Sequence, residues 1–104
     1  MDSSGSTVVD DRQHHRFVLA EDGLEAQLVY RVDGDRLVLV HTEVPDALGD
    51  RGIGGRLVRA AARRAEATGE TVAPWCPFAR KWLRDHPDVA SALKIDWSAP
   101  PASR

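Results

Sequence analysis

Two apolar runs joined by a tight-turn dipeptide constrain this chain most strongly. Apolar and polar residues alternate over 24–32, which is typical of a β-strand with one buried face. Asp33-Gly34 then predicts a tight hairpin turn, and 36–44 begins with the continuous run LVLV of a central strand. A shorter strand at 16–20 precedes the Asp22-Gly23 turn. The sequence therefore predicts an antiparallel meander of three strands.

A helix-length segment follows this meander. Between Pro45, which ends the third strand, and Gly69, a natural helix stop, residues 53–68 show a helical period. Their apolar stripe contains Ile53, Leu57, Ala60, Ala61 and Ala65.

The remaining chain alternates again between strand and helix. Residues 70–75 suit a fourth strand, and the helical crossover makes it parallel to the third. Pro77 is placed to begin a second helix that Pro87 ends, and 88–93 can form a last short helix. The predicted fold class is α+β: an antiparallel β-meander followed by α-β-α, with strands 3 and 4 parallel.

Length and charge set the outer limits. The 104 residues suit one domain, predicted at 14–97 between disordered tails at 1–13 and 98–104. A net charge of −2 predicts neither nucleic acid nor membrane as a partner, and no apolar run approaches a membrane span. A lone cysteine, Cys76, suggests a reducing, cytoplasmic location. The oligomeric state stays open.

The stretch DRGIGGRL at 50–57 places three glycines where a strand ends and a helix begins. The first N–H groups of a helix lack internal partners, and glycines let a bulky anion approach them. Arg51 and Arg56 add positive charge, so we expect a phosphate or pyrophosphate site; the alternative is a glycine-rich cap without a ligand. The residues after Gly55 lack the Lys-Ser/Thr of a P-loop, and the antiparallel strands do not suit a dinucleotide fold.

Residues 16–93 resemble the small, minimal branch of the GNAT acetyltransferase superfamily. The resemblance rests on HTEVP at 41–45, RGIGGRLV at 51–58, PWCPF at 74–78 and HPD at 86–88. It implies a minimal GNAT-like fold in which the third and fourth strands splay apart. It also implies acetyl-CoA as co-substrate and an amine as acetyl acceptor.

The same resemblance implies positions for the coenzyme. Backbone amides of Arg51, Gly52, Ile53, Gly54 and Gly55 would bind its pyrophosphate. The pantetheine arm would lie in the splay beside Thr42, Glu43 and Val44, and the N–H of Val44 would polarise the thioester carbonyl. Phe78, in the PWCPF motif, is also predicted to bind the coenzyme. The aromatics at 75, 78 and 82 can line a substrate tunnel or dock the second helix onto the sheet, and their spacing favours docking. Gly49 stands where the superfamily usually has Gln or Arg, and Arg51 is the expected replacement.

Cys76 allows two interpretations. A thiol at the start of the second helix is activated by the helix N-terminus, whereas a thiol buried between Trp75 and Pro77 is inert. The resemblance favours the first, because minimal members place this cysteine near the acetyl group. Cys76 would then accept the acetyl group as a thioester or line the acceptor pocket.

His41 is the first candidate for a catalytic base, because it lies on the central strand beside the expected cleft. The alternative is a histidine satisfied by backbone groups at a strand end. Glu43, two positions on, is the second candidate. No His/Cys cluster has metal-ligand spacing, so we predict no metal.

Two functions follow from these features. The first is a small acetyl-CoA-dependent N-acetyltransferase that acts on an amine directly or through Cys76. The alternative is a non-catalytic acyl-CoA-binding module. The only tyrosine, Tyr30, lies on an early strand and is not placed to reprotonate the leaving thiolate.

Overall fold

A computed structural model describes residues 7–49 and 51–98. Within them the elements are β1 (Val9–Asp11), β2 (Arg16–Glu21), β3 (Leu24–Asp33), β4 (Arg36–Glu43), α1 (Ile53–Thr68), β5 (Thr71–Pro74), α2 (Pro77–Asp85) and α3 (Pro87–Ala90). A short 3₁₀ turn, Asp46–Leu48, connects β4 to α1. The α+β class is confirmed.

The two predicted hairpins form for local reasons. Asp22 and Gly23 have φ angles of 55° and 75°, the left-handed geometry that a two-residue hairpin turn requires. Gly34, with φ of 62°, begins the turn that pairs Asp33 with Arg36. The residues most tolerant of positive φ therefore set the register of β2, β3 and β4.

The sheet contains one strand more than predicted. Its order is β1-β2-β3-β4-β5, and β1 lies in the segment expected to be a tail. Contacts remote in sequence hold it there: Asp10 accepts hydrogen bonds from Tyr30 (2.6 Å) and Arg64 (3.0 Å). Of the two expected tails, residues 1–6 and 99–104 lie outside the described residues.

This extra strand corrects the numbering of the parallel pair. The observed third and fourth strands, β3 and β4, are antiparallel, so the prediction of strands 3 and 4 as the parallel pair is wrong in that numbering. The parallel pair is β4 and β5, formed by the segments predicted at 36–44 and 70–75.

Helices α1 and α2 pack against one face of the sheet, and α3 packs against these two helices. Along α1, the stripe residues Ile53, Leu57, Ala61 and Ala65 are buried, whereas Ala60 is only partly so. α2 adds its buried residues to the same core. α3 spans Pro87–Ala90 and is therefore shorter than the predicted helix at 88–93.

β4 and β5 separate halfway along β4. Their pairing ends at Leu39 and Pro74, and the N–H groups of Trp75 and Cys76 both donate to the Leu39 carbonyl, at 3.0 and 2.9 Å. A bulge opposite β3 leaves Val40 as the extra residue. Because a bulge bends its strand, the last part of β4 stays with β3 and diverges from β5.

Candidate active site

A cavity of about 410 Å³ lies where β4 leaves β5. Seven residues predicted to bind the coenzyme line it together: Thr42, Val44, Gly52, Ile53, Gly54, Gly55 and Phe78. Gly49 and Trp82 complete the wall, and neither is among the residues predicted to bind the coenzyme. The cavity is therefore formed by the end of β4, the start of α1 and one side of α2.

The start of α1 presents an uncapped set of N–H groups to this cavity. Gly52 is the N-cap residue, its φ of 69° is left-handed, and it has no side chain with which to cap the first turn. The helix dipole adds positive character to the amides of Ile53, Gly54 and Gly55. The N–H of Arg51 already donates to the Leu48 carbonyl at 3.3 Å, so the donor set begins one residue later than predicted.

Gly54 and Gly55 also lie at the contact between α1 and α2. A Cβ on Gly54 would lie 2.7 Å from Cζ of Phe78, and one on Gly55 would lie 2.5 Å from Nε1 of Trp82. The sequence predicts only that these glycines let a ligand approach. Helix packing was missed because it depends on which residue of α2 faces each glycine.

The two arginines predicted to bind the coenzyme do not line the cavity. Arg51 donates through Nη1 to Glu21 (2.5 Å) and Asp22 (2.7 Å), so the expectation that it replaces the family's side-chain phosphate contact is not supported by its position. Arg56 lines a different cavity, beside Phe17. The 100° rotation per residue carries its side chain around α1, away from the end of β4.

Cys76 lies at the start of a helix and is also buried, so both interpretations of its position are partly correct. It is the N-cap residue of α2, and only 3% of its surface is exposed. Its Sγ lies 3.2 Å from Oγ1 of Thr42, which lines the cavity, whereas Cys76 itself is part of the core. The thiol is therefore one side chain away from the cavity wall.

His41 and Glu43 lie on the opposite face of the sheet from Thr42. Thr42 pairs with the core residue Leu28, and the side chains on either side of it alternate to the other face. His41 Nε2 is 3.2 Å from Glu43 Oε2, and both side chains are more than half exposed. The structure brings the two base candidates together but places neither among the residues that line the cavity.

The Glu43 carboxylate is stabilised in its ionised form. Gln27 donates to it from 2.7 Å, and this hydrogen bond, followed by the one with His41, holds the pKa of Glu43 below its usual range. A carboxylate at this distance can orient the His41 ring.

No cluster of three or more His, Cys, Asp or Glu side chains in residues 7–49 and 51–98 could hold a metal ion. In the same ranges no helix has the length and apolar character needed to span a bilayer.

Comparison with known proteins identifies the family. The sequence profile of the GCN5-related N-acetyl-transferase family matches residues 16–92. This chain belongs to that family, as the sequence resemblance had indicated.

Two individual proteins are similar to it. Protein NATD1 of the mouse, Mus musculus, is 35% identical over 83 residues, which cover 77% of this chain and 76% of NATD1. A GCN5-like protein of Staphylococcus aureus, assigned as an N-acetyltransferase and solved by NMR, superposes with a TM-score of 0.67 at 25% identity. That match covers 91% of this chain and 95% of the other. Acetyltransferase activity is the chemistry that these relationships support.

Proposed function

We propose that this protein transfers an acetyl group from acetyl-CoA to an amine. One observation carries the proposal: the glycine-lined start of α1 and the diverging end of β4 form two walls of the same cavity. In a family of N-acetyltransferases, this arrangement suits a ligand with a diphosphate at one end and an amide-containing arm at the other.

The donor chemistry of the cavity fits coenzyme A. Amides of Gly52 to Gly55 supply N–H groups and the positive end of a helix dipole to the pyrophosphate. Beyond Leu39, β4 no longer pairs with β5, so its edge can hydrogen-bond the amides of pantetheine as a strand would. A volume of about 410 Å³ accommodates part of the coenzyme and leaves the rest along the surface.

The chain's own groups then have defined tasks. The coenzyme supplies an activated acetyl thioester. The N–H of Val44 stabilises negative charge on the thioester oxygen as the amine nitrogen bonds to the carbonyl carbon and the carbon–sulfur bond breaks. An acceptor that enters between β4 and β5 from the face carrying His41 and Glu43 meets a pair able to take the proton of the amine.

Cys76 offers a second route for the same transfer. In it the thiol gives up its proton, its sulfur bonds to the acetyl carbon, and coenzyme A leaves as its thiol before the amine displaces Cys76. Support comes from the position of Cys76 at the start of α2 and from the 3.2 Å contact between its Sγ and the hydroxyl of Thr42, which lines the cavity. The burial of the sulfur requires a small shift of Thr42 or of the ligand.

A non-catalytic acyl-CoA-binding module is the second candidate. One observation favours it: the described residues that line the cavity include no side chain that titrates near neutral pH. Under this proposal the His41–Glu43 pair is a surface feature of the sheet.

A binding experiment tests the site without disturbing helix packing. Gly52→Asp places a carboxylate at the N-cap of α1, and a Cβ there meets nothing within 4 Å. Gly34→Asp is a matched control, because Gly34 has a similar positive φ and equally open space in a hairpin turn. We expect calorimetry to show CoA binding to the wild type and to Gly34→Asp, and at least a tenfold loss for Gly52→Asp. Equal affinity of the two variants would remove the pyrophosphate assignment.

A turnover experiment separates the enzyme from the binding module. Release of free CoA from acetyl-CoA in the presence of an amine panel supports the enzyme; binding without release supports the module. Intact mass after incubation with acetyl-CoA distinguishes the routes, since only the covalent one leaves a hydroxylamine-labile acetyl group on the wild type that Cys76→Ala lacks.

A further inference from the structure

An ion-pair cluster joins the β2–β3 hairpin to residues 51–55, the glycine loop. Nη1 of Arg51 donates to Oε2 of Glu21 at 2.5 Å and to Oδ2 of Asp22 at 2.7 Å. We propose that these three residues, the Arg51 clamp, position the glycine loop for the coenzyme, so that the hairpin becomes part of the binding site. This inference rests on the proposed function.

The clamp acts next to the residue that most needs to be held. Arg51 immediately precedes Gly52, whose left-handed φ of 69° begins α1. A glycine at this position gains the most conformational freedom when it is released. Burial of Ile53 in the core holds the residue directly after Gly52, and the clamp holds the residue directly before it.

The hairpin has the geometry to serve as the other half of the clamp. The positive φ of Asp22 and Gly23 makes a tight turn directly after Glu21. That turn brings two adjacent carboxylates to the same guanidinium nitrogen. A charged donor shared by two carboxylates in a rigid turn holds a loop better than a single exposed ion pair does.

Direct binding of phosphate by Arg51 is the competing explanation, and electrostatics separates the two. Replacing Glu21 and Asp22 by neutral residues removes two negative charges from the vicinity of an anion site and frees Arg51. If Arg51 were a phosphate ligand, CoA would then bind more tightly. If Arg51 acts as a positioning residue, CoA binds more weakly, because the loop loses its attachment.

A mutant cycle measured by calorimetry with CoA tests this prediction. The variants are Arg51→Met, the pair Glu21→Met with Asp22→Asn, and all three substitutions together; Asn tolerates the positive φ at position 22. We expect Kd to rise about 3- to 10-fold in each, with the combined variant no weaker than Arg51→Met alone. For turnover, KM for acetyl-CoA rises while kcat at saturation is retained.

A matched control distinguishes the clamp from a general loss of surface charge. Arg36 also donates to two carboxylates, those of Asp33 (3.1 Å) and Asp96 (2.9 Å), but at the start of β4. Arg36→Met should therefore leave CoA affinity unchanged. Tighter or unchanged binding when Glu21 and Asp22 are neutralised would overturn the clamp.

A ligand-free measurement keeps this test separate from the proposed function. We expect ¹⁵N order parameters of Gly52 and Ile53 to fall in Arg51→Met and in the Glu21/Asp22 pair, and to stay at wild-type values in Arg36→Met. If the order parameters fall in these variants but the wild type binds no CoA, the clamp is kept and the coenzyme assignment is rejected. Unchanged order parameters would reject the clamp.

Discussion

The contact between α1 and α2 makes Gly55 the position where one methyl group has the largest expected effect. In Gly55→Ala the new Cβ would lie 2.5 Å from Nε1 of Trp82 and 3.3 Å from two further indole atoms. The indole cannot easily retreat, because His86 stacks on it at 3.8 Å and the Arg59 guanidinium lies 5.2 Å from its centroid.

The size of the effect follows from two opposing contributions. Overpacking of a close contact costs about 1–3 kcal/mol. Replacing glycine by alanine in a helix returns about 0.5–1 kcal/mol. A contact of 2.5 Å lies in the upper part of the overpacking range, at about 2–3 kcal/mol. The expected net loss in the free energy of unfolding is therefore about 1–2.5 kcal/mol, which lowers the Tm by about 4–20 °C in a domain of this size. Because Trp82 also lines the cavity, CoA affinity should fall in the same variant.

Two matched alanine substitutions control this experiment. At Gly54 the clashing atoms belong to the far end of the Phe78 ring, which is 44% exposed and free to rotate, so we expect little change in Tm. At Gly69 a Cβ meets nothing within 4 Å, but the φ of 82° strains any L-residue, so we expect a loss of about 1 kcal/mol with unchanged CoA affinity. Thermal unfolding followed by circular dichroism measures all three. If Gly55→Ala unfolds at the wild-type temperature, the contact between the helices is not as close as described.

The cluster that holds β1 supports three further predictions. Arg64, whose side chain is 10% exposed, donates hydrogen bonds to Asp10, Tyr30 and Glu70. Urea denaturation of Arg64→Met should therefore show a loss of about 2 kcal/mol in the free energy of unfolding. A loss below about 0.5 kcal/mol would show that the cluster does not stabilise the fold. Tyr30→Phe removes only the hydroxyl that bonds to Asp10 and Arg64, so we expect the free energy of unfolding to fall by about 1 kcal/mol. Faster hydrogen exchange of the β1 amides should accompany this loss. Burial opposes ionisation of Glu70, yet hydrogen bonds from Arg64 and Thr68 hold its pKa below the ordinary 4.5. The stability that ionised Glu70 contributes is therefore complete above pH 4.5 and is lost as the pH falls through the lower folded pKa. The difference in unfolding free energy between wild type and Glu70→Gln should shrink between pH 6 and pH 3. A constant difference would contradict the assignment.

Local signals in the sequence were sufficient for most elements. The predicted helix at 53–68 matches α1 at both ends, because the left-handed glycines Gly52 and Gly69 interrupt the helical backbone just before its first and just after its last residue. Pro77 begins α2 as expected, and both hairpin turns contain residues that tolerate positive φ. Seven of the nine residues predicted to bind the coenzyme line one cavity, since they lie in two short stretches and one motif.

Contacts between distant parts of the chain decided the rest. β1 has no strand signal of its own and is held by Asp10, whose partners are 20 and 54 residues away. Arg51 was expected to face a phosphate and instead pairs with acids 29 and 30 residues earlier.

The sequence by itself determined the order of strands and helices from β2 onward, the glycine loop and the family to which the chain belongs. All three depend on the periodicity, turn chemistry and motifs of neighbouring residues, which act over a few positions. Only the tertiary structure decided that Gly54 and Gly55 serve the packing of two helices, and that His41 and Glu43 lie on the face of the sheet opposite Thr42. Those outcomes depend on which side chains meet in space, and a single β-bulge or a rotation of 100° along a helix changes them.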